Sequence, residues 1–287
     1  MDVTTRTLGE ICDEVDGVIQ TGPFGSQLHR SDYREEGTPV VMPKNLIDER
    51  VSTEDIARIG DEDVERLARH RLEVGDIVYA RRGDIGRRAL ITEREAGWLC
   101  GTGSVRISVG SGVVHPRFLY YYLGQPDVVT WIHNQAVGAT MPNLNTSIVR
   151  SIPVKYPPLP TQRKIASVLA AYDDLIENNA RRIAILEEMA QMLYREWFVH
   201  FRFPGHRGVE LVGRGNERAK GSISSVRGPI PEGWKIEPLE EVCHLTLGVS
   251  PKSKYYNEEG NGLPFHQGVS DFGRLYPVTR RYCSKIK

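Results

Sequence analysis

From Pro157 to Val199 the chain reads PPLPTQRKIASVLAAYDDLIENNARRIAILEEMAQMLYREWFV. A proline-rich stop is followed by about ten turns of helical pattern with no glycine or proline inside. Apolar residues recur in steps of three and four, at Ile165, Val168, Leu169, Tyr172, Leu175, Ile176, Ile183, Leu186, Met189, Ala190, Leu193 and Trp197. That spacing lays them along one stripe. Asn179 and Ala180 interrupt the stripe, and an asparagine on such a seam can set the register of a paired helix. Thr161, after Pro160, reads as the N-cap, although Lys164 stands where a capping box would carry Glu. At 1.5 Å per residue the segment 161–198 would span roughly 57 Å. A helix of that length with a single apolar stripe needs a partner helix, from this chain or another. The plainer alternative is a core helix of one larger domain. A spacer between two binding modules fits the pattern better than a compact enzyme core does.

The chain has 287 residues, 40% of them hydrophobic, which suits a mostly folded protein of about two domains. No apolar run reaches the ~18 residues of a membrane span. The N-terminal stretch MDVTTRTLGEICDEVDG is acidic and lacks an apolar signal core, so a cytoplasmic location without membrane contact is expected. Cys12, Cys100, Cys243 and Cys283 are far apart, and neither CxxC nor HExxH occurs. Reduced core thiols are therefore expected, with no disulfide and no metal site. The 37 basic and 37 acidic residues cancel, which argues against nucleic-acid binding by bulk charge. The balance is uneven: residues 1–150 hold 17 Lys and Arg against 22 Asp and Glu, and residues 151–287 hold 20 against 15. Any DNA surface on the first half must come from local clusters.

Residues 1–156 read as a mixed α+β domain with a predominantly β core. TPVVMP (38–43), DIVYAR and RRALIT (within 76–92) and SVRISV (104–109) predict strands, and VIQTGPFGSQL (18–28) a Gly-rich turn region. DEDVERLARH (61–70) and HPRFLYYYLGQPDVVTWIHNQA (115–136) predict helices, the second split at Pro126. The long helix occupies 157–201. Residues 202–230, rich in Gly, Arg and Ser, read as a surface linker.

An internal repeat then begins. Leu8-Gly9-Glu10-Ile11-Cys12 matches Leu239-Glu240-Glu241-Val242-Cys243. Tyr33-Arg34-Glu35-Glu36-Gly37, followed by Pro39 and Val40, matches Tyr256-Asn257-Glu258-Glu259-Gly260, followed by Pro264 and Phe265. The second copy, 231–287, is far shorter than the first, so an incomplete second domain is expected, from either a fragment or a natural half-length chain.

Together these segments resemble the specificity (S) subunit of type I restriction–modification enzymes. The resemblance covers nearly the whole chain. It rests chiefly on YPPLPTQRKIASVLAAYDDLIENNARRIAILEEMAQMLYREWFV and GPIPEGWKIEPLEEV. TGPFGSQL, GDIVYARRGDIGR and MPNLN followed by IPVKYPPL add to it. The resemblance implies two target-recognition domains, each reading half of a split sequence in double-stranded DNA, spaced by two long antiparallel helices. It implies a non-catalytic subunit that binds no cofactor of its own. Methyltransferase (M) subunits would supply adenine methylation with S-adenosylmethionine, and restriction/motor (R) subunits would use ATP and magnesium. The chain lacks most of a second recognition domain and the second helix. A half-length chain is therefore expected to self-dimerise through 161–198 and read an inverted repeat. The alternative is an inactive remnant that binds methyltransferase subunits as a coiled-coil protein. The residues agree with a non-enzyme, since GxxxxGK[ST], GxGxxG after a strand and GxSxG are all missing.

DNA reading needs donors and acceptors on protruding loops. The first candidates are Arg81, Arg82, Arg87 and Arg88, around the turn Gly83-Asp84-Ile85-Gly86. Arginine bonds guanine with two donors or clamps phosphate. A solvated hairpin with Asp84 pairing one arginine is the alternative. Lys44 and Asn45 follow a strand and read as DNA contacts or a plain turn. Gln20 and Thr21 precede a turn whose Gly22 and Gly25 would let backbone approach phosphate, or would simply shape it. Thr140, Asn143 and Asn145 form a polar loop, and asparagine can read adenine. Tyr120–Tyr122 are expected in the core. For helix pairing the candidates are Ile165, Leu169, Tyr172, Leu175, Ile176, Asn179, Ile183, Leu186 and Leu193.

Overall fold

Strand β1 (Thr4–Thr7) runs straight into helix α1 (Leu8–Glu14), and Thr7 is the hinge between them. The Thr7 hydroxyl accepts from the Glu10 backbone N–H, and the Glu10 carboxylate accepts from the Thr7 N–H. This reciprocal capping box fixes the helix start. Leu8, Ile11 and Cys12 turn one face inward. A computed structural model describes residues 3–110, 112–136, 143–213, 228–273 and 276–285. It has a mixed α+β fold that divides into two units after Glu187.

The first unit is organised around the antiparallel sheet β2 (Val18–Thr21), β11 (Ser104–Ser108), β8 (Ile77–Ala80) and β9 (Arg88–Leu90), in that order. Strand β8 is buried on both faces. Ile77 and Tyr79 enter one apolar cluster, whereas Val78 and Ala80 enter another, as the two-residue period of a strand requires. The first cluster is completed by α1, α3 (Pro116–Tyr122) and α4 (Pro126–Gln135). Prolines open both helices, where a missing N–H costs nothing. Tyr120 and Tyr122 are buried, as expected for core residues, whereas Tyr121 is only half-buried and turns its hydroxyl to Asp173.

On the other face lies a second sheet, ordered β10 (Leu99–Cys100), β4 (Thr38–Val41), β7 (Ala57–Ile59), β3 (Tyr33–Arg34). Two residue pairs form the hairpin β5 (Leu46–Ile47) and β6 (Arg50–Val51). Val64 of helix α2 (Asp61–Arg66) packs with Val40, Ile59 and Leu99 on one face of the second sheet, α5 (Thr146–Arg150) follows the polar loop, and β12 (Pro153–Tyr156) pairs with β1. Cys12, Cys100 and Cys283 are buried free thiols, as expected, whereas Cys243 is free but exposed, so it is not a core residue.

Helix α6 (Leu159–Tyr194) runs 36 residues and ends in a π-turn, Arg195–Val199. It starts two residues before the expected cap, so Thr161 lies inside its first turn. The cap role falls instead to the preceding backbone: the Thr161 and Gln162 N–H groups donate to Pro158 O at 2.9 and 3.2 Å.

The second unit contains β13 (Leu211–Val212) paired with β14 (Ile230–Pro231), the short helix α7 (Leu239–Val242), and the sheet β15 (Tyr256–Asn257), β17 (Arg281–Cys283), β16 (Leu263–Phe265). That sheet repeats β3–β7–β4 of the first unit. In each, one 3-10 turn leads into a two-residue strand, and a third strand pairs antiparallel with both others. The structural counterpart of Gly37 (φ 128°) is not Gly260 but Gly262 (φ 104°), two residues on: a Cβ would lie 2.2 Å from Ile59 O in one and 2.0 Å from Cys283 O in the other, whereas Gly260 has open space there. The repeat seen in the sequence is thus a repeat of structure.

Candidate nucleic-acid interface

Several loops of the first unit are tied together at one end of the central sheets, and Arg81 is the knot. Its Nε donates to Leu144 O (3.0 Å), its Nη2 to Asn143 Oδ1 (3.1 Å), and its backbone N–H to Gly103 O (2.9 Å). The guanidinium carbon sits 5.7 Å from the centre of the Phe24 ring. Thr102 donates to Pro23 O (2.8 Å), and a Cβ on Gly103 would lie 3.2 Å from Pro43 Cγ. The loops 22–27, 43–45, 81–87, 101–103 and 143–145 therefore meet. Arg81 itself is buried, and burial first, then the adjacent Arg82 charge, lower its pKa from the ordinary value.

The outer surface of this end carries Arg82, Lys44 and Phe24. Arg82 is exposed, pairs its backbone with Asn143, and has no ion pair among the described residues. Lys44 is exposed, its Nζ donating to Asp55 O (2.8 Å). Phe24 is 52% exposed. An exposed guanidinium, an ammonium and an aromatic ring on tight loops can clamp phosphate, bond base edges and stack.

A sequence profile described as the type I restriction modification DNA specificity domain matches residues 2–188. The chain belongs to that family. Over 257 residues it is 26% identical to a protein provisionally named the type I restriction enzyme MjaX specificity subunit, from Methanocaldococcus jannaschii, covering 87% of this chain and 57% of that one. The type I restriction enzyme HindI specificity subunit of Haemophilus influenzae is 27% identical over 251 residues, 71% of this chain and 54% of that protein. The chain thus spans little more than half the length of these relatives. A crystal structure of a type I restriction-modification system S subunit from M. genitalium superposes with a TM-score of 0.54 at 16% identity, covering 94% of this chain and 60% of that one. It shares the fold.

Within this family member the candidate readers separate. Arg88 is buried, with Nη2 on Glu49 Oε1 (2.7 Å), Nε donating to Tyr120 O (2.9 Å) and its carbon 5.0 Å from the Tyr120 ring centre. Arg81 and Arg88 are therefore framework residues, because internal carbonyls, a carboxylate and rings occupy their guanidinium groups. Arg87 is exposed but pairs with Asp84 at 2.7 Å, the arrangement weighed as the hairpin alternative. Asn45 is buried, and its Oδ1 accepts from the Met42 N–H (3.1 Å), which removes it from any DNA surface. Asn145 caps α5, its Oδ1 accepting from the Ile148 N–H at 2.8 Å. Asn143 spends its Oδ1 on Arg81. Gln20 and Thr21 are half-buried in β2, opposite Arg106 and Val105. Gly22 serves a backbone approach within the protein, since a Cβ there would lie 1.9 Å from Gly101 O. Thr140 lies outside the described residues.

Two further residues contribute, Phe24 and Gln162. Phe24 carried the only available signal, an aromatic inside a Gly-rich turn. Gln162 is wholly buried at the start of α6. Its Oε1 accepts from the His115 N–H (2.8 Å), while Nε2 donates to Pro157 O (2.8 Å) and Val113 O (3.2 Å). With Ala166 and Ala170 it seats α6 on the first unit.

The pairing candidates lie on another face of that helix. Ile165 and Leu169 are 38% exposed, whereas Tyr172, Leu175, Ile176, Ile183, Leu186 and Leu193 are more so, and Asn179 is exposed among them. Among the described residues no helix is long and apolar enough to cross a membrane.

Proposed function

We propose that this chain is the DNA-reading subunit of a type I restriction–modification complex, or a half-length form of one. The observation that carries the reading is the loop end at Arg81, which presents Arg82, Lys44 and Phe24 on a rigid base in an otherwise acidic half of the chain. Rigid placement matters, because base contacts discriminate only when the donors are held in position. Residues 1–156 would read one half of a split site, 157–201 would act as spacer, 202–230 as linker, and 231–287 would begin a second reader.

The exposed stripe on α6 would pair with a second copy through 161–198 and give two-fold related readers. Methyltransferase subunits, using S-adenosylmethionine, and restriction subunits, using ATP and magnesium, would carry the chemistry in the cytoplasm. The chain itself would catalyse nothing. The same stripe favours a second reading, a remnant that binds methyltransferase subunits without reading DNA.

Gel shifts with a type I methyltransferase partner at fixed salt separate the two. The double variant Arg82→Ala/Lys44→Ala should weaken DNA binding about tenfold or more and leave assembly intact. Assembly without any DNA complex, for the unmodified chain, would support the remnant instead.

A further inference from the structure

One small hairpin joins the reading end to the spacer helix. Strands β5 and β6 leave Asp48 and Glu49 as a two-residue turn, both in the left-handed region at φ 48° and 63°. Turns of this kind normally take Asn–Gly, because side-chain-bearing residues are disfavoured there. The side chains around this turn give a reason for the exception. Glu49 accepts from Arg88 Nη2 (2.7 Å) and from Tyr120 Oη (2.9 Å to its carbonyl, 3.3 Å to Oε2). Arg88 closes the turn that displays Arg82. The next residue, Arg50, places Nη1 2.7 Å from Glu177 Oε2 and donates from Nη2 to Asp173 O (3.2 Å). Beside Tyr120, Tyr121 donates to Asp173 Oδ2 at 2.5 Å. Adjacent residues thus grip the reading turn and the helix.

Apolar packing does little to hold the helix at this level. Its buried residues are Gln162, Ala166 and Ala170, all in the first turns. Around Asp173 and Glu177 a cavity of about 250 Å³ separates helix from domain, lined by Glu49, Arg50, Tyr121 and Ala170 among others. Beyond the Gln162 seat, the Arg50 and Tyr121 contacts to Asp173 and Glu177 cross that gap.

We propose that Arg50 and Tyr121 are positioning residues for DNA recognition: through Asp173 and Glu177 they lock the angle between the reading loops and the spacer helix, and so set the half-site spacing the protein accepts. The inference rests on the DNA-reading function proposed above. The helix sets a distance, and the clamp sets a direction. Direction matters because each base pair turns the duplex by about 35°, from roughly ten base pairs per helical turn. Angular play of that size would let the loops reach a neighbouring spacing.

The test uses the full chain with Arg50→Ala/Tyr121→Phe, and Arg50→Lys as the conservative control. Nitroxide labels at Ser26→Cys and Arg182→Cys, in a Cys243→Ser background, report the distance distribution without DNA. It should be narrow in the parent and in the Arg50→Lys chain, and broad in the double variant. A site is then selected by the parent chain, with a methyltransferase partner, from random-sequence duplex DNA. Its spacer is lengthened or shortened by one base pair. The parent should bind the altered sites about tenfold or more weakly. The double variant should narrow that gap to about threefold, while binding to an isolated half-site stays within about twofold. An unchanged distance distribution overturns the clamp, and retained spacer discrimination overturns its role in spacing. A parent chain with a narrow distribution that selects no site overturns the DNA reading, and the spacing claim with it.

Discussion

Arg81 and Arg82 are neighbours with opposite tasks. Arg81 faces inward and supplies donors to Leu144 and Asn143, whereas Arg82 faces water. Arg81→Ala would strand a buried carbonyl and unfasten the 143–145 loop. It should lower stability by about 2–4 kcal/mol in urea unfolding. Arg82→Ala should change stability by less than about 0.5 kcal/mol and act on DNA binding alone. Equal stability losses would contradict this division of labour. Nothing in RRGDIGRR separates the two arginines, since the distinction depends on a carbonyl 63 residues further along the chain. Arg87 was the more legible case, because Asp84 stands three residues before it. His70 adds a pH dependence. Burial first, then Arg69, pushes its pKa down from 6.5 to about 4, and Arg69 Nε donates to its Nε2 (3.1 Å), which needs a neutral ring. The unfolded chain therefore takes up the proton first as pH falls. Stability from this residue is full above about 6.5 and is lost as pH drops toward 4. Thermal melts across that window should fall less steeply for His70→Gln than for the parent chain.

At the scale of elements, periodicity was a good guide where packing is one-sided or complete. The strands at Val40, Ile77 and Val105 and the helices opened by Pro116 and Pro126 stand where their patterns placed them. Helix α1 has only its capping box, Thr7 and Glu10, as a sequence signal, because seven residues carry too little periodicity. Strand β2 carries a turn signal in the sequence, since Val18–Thr21 is only half-buried and merges into Gly22. The stripe on α6 was legible in full, because exposure does not change a pattern. Its partner was not. Ile176→Asp/Leu186→Asp should abolish self-association in light scattering while circular dichroism keeps the helical signal, since both side chains are more than half exposed. Loss of helicity instead would mean that the stripe belongs to the fold of the single chain.

For the whole molecule, the second unit repeats a three-stranded sheet of the first. Two such units on one helix, or two chains paired through it, would present two reading ends to one duplex. Protein symmetry would then appear in the site as two half-sites with a fixed gap. Selection from a random-sequence duplex library, by the full chain with a type I methyltransferase partner at fixed salt, tests that claim most directly. Enrichment of a split sequence, with two short defined blocks at constant spacing, is the predicted result. Enrichment of no sequence, or of one uninterrupted block, would contradict it.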